Sequence, residues 1–235
     1  MKDELRGIKG VLFDLDDTLY DMGGRHDIAR RAVAQFLADR LSALPEVAEN
    51  VFREGRDATQ KSLHGQGSAF SRLLYIQKGI ERLTGRTQIA VSLEAEKVFW
   101  DAFISGIRLR EGVMDLILYL RSRGIKIAVV TNMIAQPQMK KMLELGLDGL
   151  CDVLVSSEEA GENKPGAKPF LLALEKLKLT PADVVMVGDD YEADMIGASN
   201  LGMRAVYLLT GRNPEPKNSD IEVARSFAEI KTMFN

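Results

Sequence analysis

The chain has 235 residues, enough to bury a sizeable core in one large domain or two small ones. Apolar residues make up 46%, charged residues 28%, and the net charge is −3, so nothing favours nucleic acid or an anionic membrane as a bulk partner. A single cysteine excludes an internal disulfide, residues 1–7 hold no apolar signal region and no run is long enough to span a bilayer, so a cytoplasmic protein is expected.

In chain order, residues 8–13 are a run of mostly large apolar residues that ends abruptly in Asp14, Asp16 and Asp17. That is the pattern of a buried strand whose carboxyl end opens into a site. Asp14 and Asp16 are two apart, so an extended backbone would turn both to one side; the chain bends here, which leaves their geometry open. Like charges are not gathered at the mouth of a buried strand for stability, and a divalent cation is the simplest compensation. The plain alternative is a strand followed by an acidic turn.

Residues 22–107 read differently, with helical stripes in place of strand-type runs. Ala29, Val33, Phe36 and Leu37 make one stripe, Leu73, Ile76, Ile80 and Leu83 a second, and Phe99, Ala102 and Phe103 belong to a third. The segment is expected to be a small helical domain inserted after the first strand, with glycine-bearing junctions at 20–24 and 106–112. The remaining residues, 1–21 and 108–235, then form the other domain.

From 113 onward, strand-like and helix-like segments alternate. Val113, Leu116, Ile117 and Leu120 share one helical face, and residues 125–130 follow as a β-branched strand. Met139, Met142 and Leu143 stripe the next helix, which Gly146 stops, and residues 153–155 make a short strand that Cys151 precedes as a small buried hydrophobe. Phe170, Leu171, Leu174 and Leu177 stripe another helix. Thr180-Pro181-Ala182-Asp183 carries the marks of a helix start, residues 184–187 and 205–209 are strands, and 193–198 reads helical. An irregular connector around 212–220 leads to a last helix. About five short strands interleaved with helices predict an α/β, doubly wound parallel sheet, Rossmann-like, beside the smaller helical domain.

Charged or hydroxylated residues stand where the strands end: Asp14, Asp16 and Thr18, then Thr131 and Asn132, then Lys164-Pro165, then Asp189, Asp190 and Asp194. In a parallel sheet these ends converge on one edge. The set is chemically coherent: Asp14 as nucleophile, Asp16 as proton donor, Thr131 as a hydrogen-bond donor to phosphate, Lys164 as counter-charge, and Asp189 on a hard metal such as Mg²⁺.

Asp14-Leu15-Asp16-Asp17-Thr18, Thr131-Asn132, Lys164-Pro165 and Gly188-Asp189-x4-Asp194, in this order, resemble the four signature motifs of the haloacid dehalogenase-like hydrolases. The insertion is similar to that family's small α-helical cap of the first type, which is expected to open and close on its junctions over a bound substrate. The resemblance implies a phosphatase in which Asp14 attacks phosphorus and becomes an aspartyl phosphate. Asp16, protonated, gives its proton to the leaving oxygen and then activates water. It further implies Mg²⁺ held by the Asp14 carboxylate, the Asp16 backbone carbonyl and the Asp189 carboxylate, with Asp194 anchoring a metal water or Lys164. Phosphate would be bound by Thr131, Lys164 and backbone amides near Asp16 and Asn132.

Each role has a rival. Thr18 serves as well to stabilise the turn, and the Asn132 side chain to cap a helix. Lys168 competes with Lys164, and Asp190 with Asp194; Asp17 reads as a solvated turn residue, His26 and His64 as surface or capping residues, and Trp100 as core or domain interface. Keeping Asp16 favours a phosphatase over a 2-haloacid dehalogenase of the same fold. A phosphonatase would draw a lysine from Lys61, Lys78 or Lys97, and a phosphomutase would use the same aspartate pair. A non-catalytic phosphorylatable signalling domain would carry its acceptor Asp at the end of the third strand, where this chain has Val155-Ser156-Ser157-Glu158-Glu159. The expected partner is a small phosphorylated metabolite such as a sugar or short organic acid phosphate, with Tyr20, His64, Arg72 and Tyr75 as candidate readers of its leaving group. Nothing in the pattern fixes an oligomeric state.

Overall fold

The computed structural model describes residues 5–216 and 221–234; the start of the segment read for a signal and the end of the 212–220 connector lie outside the described residues. The chain divides into two compact units, Met1–Asp21 with Arg108–Asn235, and Met22–Ile107.

In the first unit the described strands form one parallel sheet in the order β3-β2-β1-β4-β5-β6. The strands are β1 Gly10–Phe13, β2 Lys126–Thr131, β3 Val153–Ser156, β4 Val184–Gly188, β5 Arg204–Leu208 and β6 Glu222–Ala224. The central strands are covered on both faces, and their sequences are accordingly near-continuous apolar runs rather than alternating ones. Each fully buried Val, Ile or Met there stabilises by about 1.5–3 kcal/mol. β1 lies between β2 and β4, so the strand order reverses at β1, where sheets of this kind leave a crevice beyond the strand ends.

Flanking helices are α5 Val113–Ser122, α6 Ala135–Glu144, the single turn α7 Ser157–Ala160, α8 Ala167–Leu177, α9 Gly197–Ser199 and α10 Phe227–Thr232. α5 buries Val113, Leu116, Ile117 and Leu120. In α8 the buried face holds Phe170, Ala173, Leu174 and Leu177, and Leu171 is turned out. Thr180 and Asp183 do form a capping box, but what they start is one 3₁₀ turn, Pro181–Asp183, because the valines of β4 take over at once. The segment before α9, Tyr191–Ile196, is a π-helical turn.

α6 corrects a reading. The apolar stripe Met139-Leu143 does not face the core: Met139 is 54% and Leu143 62% exposed, while Gln138 and Lys141 are buried. With Leu147, Cys151 and Val153 the displaced stripe lines a groove of about 330 Å³ beside the edge strand β3. Cys151 is half-buried there, and burial, with Asp152 beside it, pushes its thiol up to about 12, so it is no thiolate nucleophile at neutral pH.

The second unit holds α1 Arg25–Leu41, α2 Pro45–Ser62, a 3₁₀ turn Gly67–Phe70, α3 Arg72–Thr84 and α4 Ile89–Ile104. α2 and α3 cross closely because Gly55 and Gly79 face the partner backbone; a Cβ at either would overlap the carbonyl of Tyr75 or Val51. This contact rotates α3, so that Tyr75, Ile76, Gly79 and Ile80 are buried and Leu83 is 40% exposed. Phe52, Tyr75, Phe99, Trp100 and Phe103 stack edge and face into one aromatic cluster. Two expected readers of substrate are spent inside it. Arg72 lies over Tyr75, Phe99 and Trp100, and the Tyr75 hydroxyl donates to the Ala69 carbonyl at 2.6 Å.

Candidate active site

β1 delivers Asp14 to the carboxyl edge of the sheet, where its amide still donates to Val187 of β4. The chain then turns through Asp17, whose φ of 60° is a conformation aspartate tolerates. Arg110 fixes this turn by donating from Nη2 to the Asp17 carbonyl at 2.9 Å. Thr18 is fully buried and bridges the ends of β1 and β4: its hydroxyl donates to Asp189 Oδ1 at 2.8 Å and accepts from the Asp189 amide at 3.0 Å. Asn213, in the loop after β5, holds the other side of this strand end, donating to the Asp189 and Leu208 carbonyls.

Lys164 occupies the centre. Its side chain is 2% exposed, and its ammonium donates to Asp14 Oδ1 at 2.7 Å, Asp194 Oδ1 at 2.6 Å and the Val130 carbonyl at 2.8 Å. All three of its protons are thereby placed. Asn132 sets the backbone from which Lys164 reaches: its Oδ1 accepts from the Lys164 amide and its Nδ2 donates to the Lys164 carbonyl. The capping role considered for the Asn132 side chain is thus corrected; α6 starts from Ile134 without a side-chain cap. The rivals also separate. Lys168 is exposed at the start of α8, and Asp190 is exposed and accepts from the Ala193 amide. Asp194 points inward from the π-helical turn, with Oδ2 accepting from the Asp190 amide. It reaches this position because residue 188 is glycine: a Cβ there would overlap the Asp194 carboxylate.

The electrostatics follow. Burial pushes both Asp14 and Asp194 up, and the Lys164 ammonium between them pulls both back. Lys164 is itself held above the ordinary lysine range; burial opposes this, and the two carboxylates outweigh it. Burial and then Asp14 push Asp189 up to about 7, with Thr18 working against them. Asp14, Asp189 and Asp194 place one oxygen each within 4.8 Å of one another. Three carboxylates against one ammonium leave excess negative charge on oxygen donors only, a set that fits a hard divalent cation. Asp194 has both oxygens engaged, by Lys164 and the Asp190 amide, whereas Asp14 accepts from Lys164 and Asp189 from Thr18 through Oδ1, so Asp14 and Asp189 are the better placed to ligate.

Asp16 stands apart from this cluster, 21% exposed at its side chain. Lys141 donates to its Oδ1 at 2.6 Å, Gln138 to its Oδ2 at 3.0 Å, and the Tyr20 hydroxyl also donates to Oδ1. Burial pushes this carboxyl up, but Lys141, Tyr20 and Gln138 together outweigh it and hold it below the usual range. Both Asp16 oxygens thus accept hydrogen bonds, from Tyr20 and from two side chains of α6. Thr131, buried at the end of β2, accepts from Gln138 Nε2 at 2.5 Å. Tyr20, considered as a reader of substrate, is instead fully buried against Asp16. Gln138 and Lys141 were not anticipated at all. The one signal for them was their i, i+3 spacing on the helix that follows Thr131-Asn132.

The model of the haloacid dehalogenase-like hydrolases matches residues 8–202. The chain belongs to that family. Among relatives of this haloacid dehalogenase-like hydrolase, the ribulose-1,5-bisphosphate 5-phosphatase of Halopiger xanaduensis is 31% identical over 199 residues, 83% of this chain and 82% of that one. The glyceraldehyde 3-phosphate phosphatase of Methanothermobacter thermautotrophicus is 27% identical over 215 residues, 92% and 91% of the two chains. The crystal structure of a 2-haloacid dehalogenase from Pseudomonas syringae superposes with a TM-score of 0.80 over 96% of this chain and 97% of that one, at 23% identity, a likeness of fold. Among the described residues no helix is long and apolar enough to cross a membrane.

Proposed function

We propose that this hydrolase removes phosphate from a small phosphorylated sugar or related metabolite, with Mg²⁺, through an aspartyl phosphate on Asp14. The observation that carries the reading is Asp14 itself, set at the end of the central strand and oriented by Lys164 at 2.7 Å. Asp14 Oδ attacks phosphorus and the bond to the leaving oxygen breaks, while Asp16, carrying the proton it takes from water in the second half of the preceding turnover, gives that proton to the leaving oxygen. Water then attacks the same phosphorus, Asp16 takes the water's proton, and the bond to Asp14 breaks, so that inorganic phosphate leaves and both aspartates are restored. The donors around Asp16 suit the second half, where a carboxylate must accept a proton. The Thr131 hydroxyl faces the phosphoryl oxygens in this scheme, and the Lys164 ammonium, with its protons on Asp14, Asp194 and the Val130 carbonyl, acts as a counter-charge. Bound Mg²⁺, held by Asp14 and Asp189, would offset the charge between the aspartate and the phosphate. The relatives named for ribulose-1,5-bisphosphate and glyceraldehyde 3-phosphate support a three- to five-carbon sugar phosphate.

The experiment is phosphate release from a panel of such esters, with Mg²⁺ or chelator, for wild type and Asp14→Asn. Release that needs Mg²⁺ and falls at least about a thousandfold in the variant is expected. Most of the activity surviving in a folded Asp14→Asn protein would sink the nucleophile assignment. Halide release from 2-haloacids in place of phosphate release would move the chain to the dehalogenases.

A further inference from the structure

α6 spends its buried face on a lysine and a glutamine while leaving methionine and leucine in water. Lys141 is 1% and Gln138 0% exposed, against 54% for Met139 and 62% for Leu143. Stability does not explain this choice, because buried ion pairs replaced by apolar residues of similar size are often neutral or better. What the two side chains touch does explain it. Lys141 Nζ donates to Asp16 Oδ1 at 2.6 Å and Gln138 Nε2 to Asp16 Oδ2 at 3.0 Å, so both oxygens are gripped and the plane of the carboxylate is set. The same Gln138 nitrogen donates to Thr131 Oγ1 at 2.5 Å. A hydroxyl that accepts there has its own proton left to direct elsewhere.

We propose that Lys141 and Gln138 are positioning residues, which hold the Asp16 carboxyl group and the Thr131 hydroxyl in the orientation that the two proton transfers and phosphate binding need. The proposal rests on the phosphatase reading above. Their spacing on one helix makes the pair a single rigid support: α6 begins four residues after Thr131, so the strand that carries the phosphate-binding hydroxyl also places the grip on the acid–base residue.

The test compares kcat/KM on two phosphate monoesters, an alkyl ester whose leaving oxygen needs a proton and a nitrophenyl ester whose leaving oxygen does not. Wild type, Lys141→Met and Gln138→Leu are measured, each with a thermal melt. The positioning role predicts a loss of about a hundredfold on the alkyl ester and less than about tenfold on the nitrophenyl ester. A purely structural role lowers both alike, and equal losses, or no loss, would overturn the proposal. If Lys141→Met does not fold, Gln138→Leu carries the comparison; if neither folds, the pair is structural and the proposal falls. Wild type inactive on both esters would instead remove the phosphatase reading, an outcome visible before any variant is compared.

Discussion

Asp189 shows at the scale of one residue how closely negative charge is packed at this strand end. Its carboxyl is raised to about 7, by burial first and by the nearby Asp14 charge second. A raised pKa means the folded state holds the proton more tightly than the unfolded chain does. The stability tied to that proton is complete below the unfolded value, near 4, and is lost as pH rises through about 7. Asp14 and Asp194 are shifted in the same direction. A divalent cation bound there would take the proton's place, so Mg²⁺ is predicted to raise the melting temperature more at about pH 8 than at about pH 5. Melting curves in chelator and in Mg²⁺ at both values check this; equal shifts would contradict it. Asp14, Asp16 and Asp189 were legible because each breaks a local rule, a charge set just beyond the end of an apolar strand. Lys141 and Gln138 broke no rule visible in one dimension, since two polar residues on a helix ordinarily face solvent.

At the scale of the element, α6 is the instructive case. Its apolar stripe is genuine, and the periodic pattern alone turns Met139 inward. The sheet edge has other needs, and the helix is rotated so that its polar pair meets Asp16 and Thr131. If the stripe were core, Met139→Lys would bury an unpaired charge and cost several kcal/mol. With Met139 at 54% exposure the cost is predicted to stay within about 0.5 kcal/mol, read from the midpoint of chemical denaturation. A loss of several kcal/mol would show that the helix faces the other way. β6 was missed for a different reason. Glu222–Ala224 is three residues at a sheet edge, too short and too polar for a pattern. The reading of 180–183 failed on length alone: the cap chemistry is present, but β4 begins before a helix can grow.

At the scale of the whole molecule, the α/β class and the parallel sense of the sheet followed from β1, β2 and β4, whose buried runs exceed what any one-sided strand would show. Convergence followed from topology, because parallel strands end on the same edge and the order reverses at β1. What the chain could not announce is which side chains meet across 120 residues or more of sequence, as Asp16 does with Gln138 and Lys141. Such pairs depend on the angle at which a helix returns to its sheet, and no periodicity encodes that angle.

The central claim is that Asp14 carries the phosphoryl group. The direct measurement is to mix enzyme, Mg²⁺ and substrate, quench in acid during turnover, reduce with borohydride and map the peptides by mass. An acyl phosphate is reduced to the alcohol, so conversion of Asp14 to homoserine is predicted, with none in Asp14→Asn. Phosphate release without any change at Asp14, or reduction at Asp16 or Asp189 instead, would contradict the account.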